Sequence, residues 1–276
     1  MLNSLYMEEH VKEALKEDIG FGDITTENLA DDKDYLKGFL NTRSDGILCG
    51  SNVFETVYKT LSKDIKIKFY YKDGDRIKKG DKVADIEGPA KYLLMGERVA
   101  LNYIQRMSGI ATETRKYQDA IGDYPAKIVD TRKTTPNFRM FEKYSVKTGG
   151  GALHRFNLSD CAMIKDNHIR LAGSITAAVE KLRKNLSHAH KIEVECDTLE
   201  QVKEALATGV EIIMLDNMSV EEMKKACLLI DHKAIVEASG NVNLETVNAI
   251  AAAGVDIISS SAIVAKAPTL DLALDI

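Results

Sequence analysis

A chain of 276 residues with 45% hydrophobic side chains is long enough for a barrel plus a smaller domain. The formal net charge of −5 disfavours nucleic acid as a partner. No apolar run approaches the roughly 20 residues of a membrane helix, so no membrane contact is expected. The acidic, amphipathic start lacks a signal-peptide pattern, and the four cysteines form no CxxC pair. These features predict a cytoplasmic protein with four reduced, buried cysteines and no structural zinc.

The first part of the chain, residues 1–104, predicts a small α/β domain. An amphipathic helix is expected over about 7–17, and short strands mix with helix over 34–104. Two Gly-Asp turns, at 74–75 and 80–81, separate short strands of a compact hairpin scaffold. A long helical stretch over 95–121, either continuous or broken near Gly109, is expected to link this domain to the next.

From residue 126 the chain alternates short apolar strands with helices of about 10–12 residues, which is typical of βα units on a parallel sheet. The strand ends Glu195, Asp216, Ser239 and Ser260 recur at intervals of 21, 23 and 21 residues. This is the period of an α/β barrel, in which the chemistry lies at the C-terminal ends of the strands. The sequence therefore predicts an α/β fold with a barrel domain over 105–265.

Two of these strand ends are acidic. Carboxylates such as Glu195 and Asp216 suit Mg²⁺, which usually bridges substrate phosphates. Two alternatives stay open, namely a pair of surface acids, or an N-cap role for Asp216 in the following helix. Glu193 lies two residues before Glu195 on the same side of the strand, so it is a competing candidate.

A cationic segment precedes these strands. Residues 131–170 hold eight Lys/Arg and three acids, a balance of +5. A solvated basic face would explain most charge runs, but these cations adjoin glycine runs and apolar strands, which favours an inward-facing anion site. The candidates are Arg132, Lys133, His154, Arg155 and Lys165. For His154 alone, a structural role is at least as good an explanation.

Small residues follow the last two strands. Ser239-Gly240 and Ser259-Ser260-Ser261 lie at adjacent strand-to-helix turns, where backbone N–H groups and a helix N-terminus attract anions. Loops after the final barrel strands often bind phosphate. Ordinary turn chemistry is the alternative.

The motifs DTRKTTP (130–136), GGGALHRFNLSDCAMIKDNHI (149–169), EVE (193–195), LDN (215–217) and EASGNV (237–242) together resemble the quinolinate phosphoribosyltransferase family. EDIGFGDITT (17–26) and ERVALN (97–102) extend the resemblance over nearly the whole chain. It implies an incomplete α/β barrel with a smaller N-terminal α/β sandwich domain, joined by the last residues from about 266. It also implies a head-to-tail homodimer in which Arg98 reaches into the neighbour's barrel, with higher oligomers left open.

The resemblance implies transfer of a phosphoribosyl group from phosphoribosyl pyrophosphate to quinolinate, with Mg²⁺ as cofactor. Lys133, Lys165, Glu195 and Asp216 would be catalytic. The implied ligands are Arg132, His154, Arg155 and Lys165 for the dicarboxylate and phosphate, Lys133 for the donor, Glu195 and Asp216 for ribose and metal, and Ser239, Gly240, Ser259, Ser260 and Ser261 for the 5′-phosphate. One departure is Ser261, where the family usually has glycine.

Three other functions remain open from the residues alone. A paralogous pyrophosphorylase-like protein would use another anionic heterocycle, and the intact TRKTTP and IKDNH motifs count against it. A non-catalytic ligand-binding relative would have lost part of the cationic set. A barrel aldolase with Lys165 as a Schiff-base amine would not explain the surplus of cations.

Overall fold

The computed structural model describes residues 2–276, which form two compact units. Unit 1 comprises Met1–Arg115, Pro136–Gly150 and Ala267–Ile276, and unit 2 comprises Lys116–Thr135 and Gly151–Lys266. The units interleave along the chain, whereas the predicted division was a single boundary at 104/105 with a C-terminal return. Residues 105–115 and 136–150 lie in unit 1 because the side chains of Met107, Ala111 and Phe141 are part of its buried core.

Among the described residues, unit 1 contains four complete helices, six strands and the first part of a long helix that continues into unit 2. The helices are α1 (Ser4–Ile19), α2 (Thr26–Leu29), α3 (Ser51–Leu61), α4 (Ala90–Ile121, which ends in unit 2) and α5 (Arg139–Thr148). The strands are β1 (Tyr35–Thr42), β2 (Gly46–Ile47), β3 (Lys66–Phe69), β4 (Arg76–Ile77), β5 (Lys82–Pro89) and β12 (Leu272–Asp275).

An antiparallel sheet of order β12-β1-β5-β3 forms the strand layer of unit 1. Its buried apolar side chains share one core with those of the helices, and Phe54 meets Tyr58 edge to face at 5.2 Å in that core. The small N-terminal α/β sandwich is confirmed. The two Gly-Asp turns lead to different sheets, because β4 pairs with β2 instead of joining β3 and β5.

Helix α4 is continuous through Gly109, so a break there is the wrong option of the two. Glycine is needed at position 109 because another segment of the chain packs against the helix there. A Cβ at this position would lie 2.0 Å from the carbonyl oxygen of Pro268. Glycine therefore lets the C-terminal segment approach the helix backbone closely on its way to β12.

Unit 2 is built on a parallel sheet of order β6-β11-β10-β9-β8-β7. The strands are β6 (Lys127–Val129), β7 (Ala162–Ile164), β8 (Ile192–Cys196), β9 (Ile212–Asp216), β10 (Ile235–Ser239) and β11 (Ile257–Ser259). The helices are α6 (Asp166–Ala172), α7 (Ile175–Asn185), α8 (Leu199–Ala207), α9 (Val220–Ile230), α10 (Val247–Ala251) and α11 (Ala262–Ala265). Six parallel strands with intervening helices confirm the incomplete α/β barrel.

Local sequence explains where the barrel helices begin. Thr198 is the N-cap of α8 and Ser219 is the N-cap of α9. Each forms a reciprocal capping box with the residue three positions later, Gln201 for Thr198 and Glu222 for Ser219. α8 begins three residues after the end of β8 and α9 four residues after the end of β9, so the strand-to-helix turns at the carboxyl end of the sheet are short. Among the described helices, none has the length and apolarity to cross a membrane.

Candidate active site

A cavity of about 440 Å³ lies at the carboxyl ends of the barrel strands, and all of its lining residues belong to unit 2. The structure brings nine of the predicted site residues together there. They are Arg132, Lys133, His154, Arg155, Lys165, Glu195, Asp216, Ser239 and Ser259. Thr131, Met163 and Met214 complete the lining and were not predicted. Residues that lie far apart in sequence thus form one polar pocket, which favours the inward-facing anion site over the solvated basic face.

Strand periodicity positions the acids. Glu195 on β8 and Asp216 on β9 both turn toward the cavity. Met214 lies two residues before Asp216, on the same face of β9, and it lines the cavity as well. Val194 and Leu215, which face the other way, are fully buried. A residue two positions before a lining residue shares its face of the strand, so it either lines the cavity itself, as Met163 and Met214 do, or points into the barrel interior below it.

The cations around the cavity differ in how far they are exposed to solvent. Lys165 occupies the N-cap position of α6, and its ammonium pairs with the largely buried carboxylate of Glu195. Arg155 donates from Nη1 to the carbonyl oxygen of Cys161 at 2.9 Å. Arg132 and Lys133 follow β6 with exposed side chains. The site thus combines oriented cations at its wall with solvent-facing ones at its rim.

Asp216 ends β9 as a half-buried carboxylate, and the side-chain amide of Asn217 donates to it at 2.7 Å. The following helix is capped by Ser219, whose hydroxyl oxygen accepts from the N–H of Glu222 at 3.2 Å. The alternative N-cap role of Asp216 is therefore wrong, and its carboxylate faces the cavity together with that of Glu195. Two carboxylates at the ends of adjacent strands offer the hard oxygen donors that Mg²⁺ takes.

The small-residue turns contribute unequally. Ser239 and Ser259 line the cavity, while Gly240, Ser260 and Ser261 lie outside its lining. Gly240 has φ +90°, and a Cβ there would lie 2.2 Å from Oδ1 of Asn217, so glycine is required twice over. Ser261 has φ −75°, which any residue tolerates, so serine in place of the family's glycine causes no backbone strain.

Beneath the cavity lies a buried cluster that sequence reasoning only partly found. Nε2 of His154 is 3.6 Å from Oε1 of Glu193 and 3.4 Å from Oε1 of Glu237. Both carboxylates are almost completely buried. Glu237 was missed, although its position two residues before Ser239 repeats the spacing of Glu193 before Glu195. Glu193 belongs to this interior cluster and is not among the residues that line the cavity, whereas Glu195 is.

Burial and charge act in opposite directions on this cluster. Burial lowers the pKa of His154, whereas the carboxylates of Glu193 and Glu237 act in the opposite direction and raise it. Burial also raises the pKa of the Glu193 carboxyl, and the imidazole of His154 offsets only part of that effect.

Arg98, the remaining predicted site residue, is exposed on α4 in unit 1 and does not line the cavity.

Comparison with known proteins identifies relatives over both parts of the chain. The family model for the C-terminal domain of quinolinate phosphoribosyl transferase matches residues 110–275, and the model for its N-terminal domain matches residues 23–108. A protein of Synechocystis sp. named "Probable nicotinate-nucleotide pyrophosphorylase (carboxylating)" is 45% identical over 95% of this chain and 90% of its own length.

Solved structures agree with this result. NadC from Streptococcus pyogenes is 40% identical and superposes with a TM-score of 0.97, covering 100% of this chain and 98% of that one. The nicotinate-nucleotide pyrophosphorylase from Francisella tularensis is 39% identical, with a TM-score of 0.96 over 100% of this chain and 97% of that chain.

Proposed function

Because the chain belongs to the quinolinate phosphoribosyltransferase family, we propose a role for each polar group of the cavity in the reaction of that family. The chain is a decarboxylating pentosyltransferase of NAD biosynthesis. It transfers the phosphoribosyl group of phosphoribosyl pyrophosphate to quinolinate and releases nicotinate mononucleotide, pyrophosphate and CO₂. The single observation that carries the assignment of roles is the convergence of cations and strand-end carboxylates on one cavity.

The cations bind the charged groups of the substrates. Arg155 and Lys165 lie at the cavity wall and Arg132 at its rim, so they neutralise the two carboxylates of quinolinate. Lys133, exposed beside Arg132, contacts the pyrophosphate of the donor. Ser239 and Ser259 contact the 5′-phosphate, while Gly240, Ser260 and Ser261 shape the turns that carry these contacts.

The chemistry follows from charge. The ring nitrogen of quinolinate attacks the anomeric carbon, the bond to pyrophosphate breaks, and positive charge develops on the ribosyl group. Glu195 and Asp216 stabilise that charge and hold the ribose, because preorganised carboxylates in a partly enclosed site cost little reorganisation. Positioning of two bound reactants supplies much of the remaining acceleration. The quaternised ring then loses its 2-carboxylate as CO₂, and the ring nitrogen stabilises the resulting carbanion at C2. That carbanion takes a proton from water to give nicotinate mononucleotide, so no separate base is required.

Glu195 and Asp216 would also hold Mg²⁺. Their carboxylates line the same cavity from adjacent strands, and the donor set suits this ion. Mg²⁺, when bound, neutralises the charge of the departing pyrophosphate. Lys165 keeps the carboxylate of Glu195 oriented toward that side of the cavity through their ion pair.

We propose a cytoplasmic homodimer with shared active sites. Arg98 of the partner subunit would complete the cation set for quinolinate, as the family resemblance implies. The exposed position of Arg98 on α4 in unit 1 leaves its guanidinium accessible for such a role.

The substrate assignment is tested by product analysis with quinolinate, phosphoribosyl pyrophosphate and Mg²⁺. One CO₂ is expected per nucleotide formed. Nicotinate is expected to react barely, because the cations of the cavity bind two carboxylates and nicotinate has only one. Equal turnover of nicotinate would refute the assignment and favour a paralogous activity on another heterocycle.

The metal assignment is tested by chelation. Excess chelator should abolish turnover, and Glu195→Ala and Asp216→Ala should each lower it by about 100-fold or more. In Asp216→Ala the Mg²⁺ concentration for half-maximal rate should also rise. Full activity in chelator would exclude the metal role.

The shared site is tested by mixing. Arg98→Ala and Lys165→Ala are each expected to be nearly inactive alone. After subunit exchange, some heterodimers carry one intact site, so activity should return. If exchange is verified by mass and no activity returns, Arg98 acts within its own chain or only in folding.

A further inference from the structure

The segment that carries Arg155 into the cavity has no regular secondary structure, yet buried acids hold it in place. Residues 153–155 form neither helix nor strand. The main-chain N–H of His154 donates to Oδ1 of the fully buried Asp130 at 2.9 Å. The imidazole of the same residue lies against Glu193 and Glu237, as described above. Asp130, which follows β6, and two glutamates on β8 and β10 thus surround one histidine.

The imidazole has a defined orientation and tautomer. The main-chain N–H of Arg155 donates to Nδ1 of His154 at 2.7 Å, so Nδ1 carries no proton. The remaining ring proton is then on Nε2, which faces Oε1 of Glu237 at 3.4 Å and Oε1 of Glu193 at 3.6 Å. The two carboxylates favour the charged imidazole. A proton on Nδ1 would, however, point at the main-chain N–H of Arg155 only 2.7 Å away, and two donors cannot face each other at that distance. This contact therefore favours the neutral imidazole.

Both ring nitrogens of His154 therefore face groups of the protein, Nδ1 the N–H of Arg155 and Nε2 the two carboxylates. The imidazole connects the two glutamates to the backbone of Arg155, whose guanidinium is fixed at its other end by the carbonyl oxygen of Cys161 at 2.9 Å. Both oxygens of Glu193 and Oε1 of Glu237 have no hydrogen-bond partner among the described residues. A small rotation of the imidazole would let Nε2–H donate to one of these buried acceptors, since Oε1 of Glu237 is 3.4 Å and Oε1 of Glu193 is 3.6 Å away.

We propose that Glu193 and Glu237 are positioning residues that hold His154 as the neutral Nε2–H tautomer and thereby orient Arg155 for the carboxylates of quinolinate. The proposal rests on the function assigned above. It gives His154 a role in supporting Arg155 through the backbone, not in supplying charge to the substrate. Because the donor is bound by other residues, the effect is specific to quinolinate.

A pair of variants at Glu237 separates hydrogen bonding from charge. In the full-length enzyme Glu237→Gln keeps a side-chain oxygen that accepts from Nε2–H, whereas Glu237→Leu removes it at similar size. Glu237→Leu should raise the KM for quinolinate by about tenfold or more, with kcat and the KM for phosphoribosyl pyrophosphate changed by less than about threefold. Glu237→Gln should restore the wild-type KM. A Gln variant as impaired as the Leu variant would overturn the acceptor role.

A matched control addresses general destabilisation. Glu211 accepts from the main-chain N–H of Ile192 at the opposite end of the strands. Glu211→Leu should lower thermal stability without changing the KM for quinolinate. An equal rise in that KM in both Leu variants would make the effect structural and overturn the proposal.

The tautomer is read independently of activity by ¹⁵N NMR of labelled histidine, with the His154 signals identified by their loss in His154→Asn. One protonated and one unprotonated ring nitrogen are expected in wild type and in Glu237→Gln. Two protonated nitrogens at neutral pH would overturn the proposal. Stoichiometric divalent metal in the purified enzyme that is lost in Glu237→Gln would also overturn it, because the imidazole and two carboxylates could also ligate an ion.

If Glu237→Leu does not fold, the kinetics of the Gln variant and this NMR spectrum still test the proposal. Absence of quinolinate turnover in the wild type would instead refute the assigned function, and the spectrum would be unaffected.

Discussion

The two ends of the barrel strands both carry acidic side chains, but those side chains have different partners. At the amino ends, Glu211 accepts from the N–H of Ile192 and Asp256 accepts from the N–H of Val236, each at 2.8 Å. At the carboxyl ends, Glu195 pairs with the ammonium of Lys165, and Asp216 faces the cavity. Acids at the amino ends thus accept hydrogen bonds from the backbone of neighbouring strands, and those at the carboxyl ends face the cavity and its cations.

This difference follows from the direction of parallel strands. The first N–H groups of a strand point out of the sheet unless a side chain or neighbouring strand accepts from them. The carboxyl ends lead into loops that are free to form a pocket. Acids of similar appearance in the sequence therefore hydrogen-bond to the backbone at one end of the strands and line the cavity at the other. Substitutions at matched positions test whether stability and activity divide in this way.

The largest effect is expected at Lys165. Lys165→Ala removes a cation from the substrate pocket and leaves the largely buried carboxylate of Glu195 without its partner. We expect kcat/KM for quinolinate to fall by about 100- to 1,000-fold. Steady-state kinetics measure this loss. Lys191→Ala is the matched control, since Lys191 is an exposed lysine just before β8, at the amino end, and should change kcat/KM by less than about twofold. Equal losses in both variants would erase the distinction between the ends.

Two glycines with positive φ allow the next comparison. Gly240→Ala at the carboxyl end forces a Cβ to within 2.2 Å of Asn217, so it should destabilise the fold by about 3 kcal/mol or more and raise the KM for phosphoribosyl pyrophosphate. Gly209→Ala, where φ is +67° and no atom lies within 4 Å of the added carbon, should cost only about 1–2 kcal/mol and leave the KM unchanged. Urea unfolding and donor titrations measure both quantities. A raised KM in Gly209→Ala would contradict the separation.

A smaller effect on stability alone is expected at Glu211. Burial by itself would raise the pKa of this carboxyl, but hydrogen bonds from backbone N–H groups and the charge of Arg183 lower it below 4.5. A lowered folded-state pKa contributes stability that is present above the unfolded value and is lost as pH falls through the folded value. Glu211→Ala should therefore lower the free energy of unfolding by about 1–2 kcal/mol at pH 7 and by less at acid pH, with kcat/KM unchanged. Urea unfolding at several pH values tests it, and a constant difference would contradict the titration.

The smallest effect is expected at Ser261, which lies outside the lining of the cavity and has a backbone conformation open to any residue. Ser261→Gly should change the KM for phosphoribosyl pyrophosphate by at most about tenfold, equivalent to about 1.4 kcal/mol. The measurement is that KM at saturating quinolinate. A large gain in affinity would show that serine impairs the phosphate site, and a large loss would show that its hydroxyl binds phosphate.

Much of the fold was accessible from sequence periodicity. The alternation of apolar strands and helices after residue 126 predicted β6 to β11 in order, and the cation surplus around Lys165 predicted an anion site. Helices α5 and α6 were not predicted, because the charges and glycines of 131–170 obscure helical periodicity. Helix α7, which follows that segment, was not predicted either. The pairing of β4 with β2 was also missed, since turn residues show where a strand ends but not which strand it joins.

The sequence by itself determined the α/β class, the strand ends and the acids that they carry, because periodicity and strand polarity are local properties of the chain. The tertiary structure alone decided which side chains meet. Glu193 and Glu237 stand on β8 and β10, which are separated by β9, and they converge on His154 only through the closure of the sheet around its interior. Distances across a barrel depend on strand order, register and curvature together. No spacing along the chain encodes these.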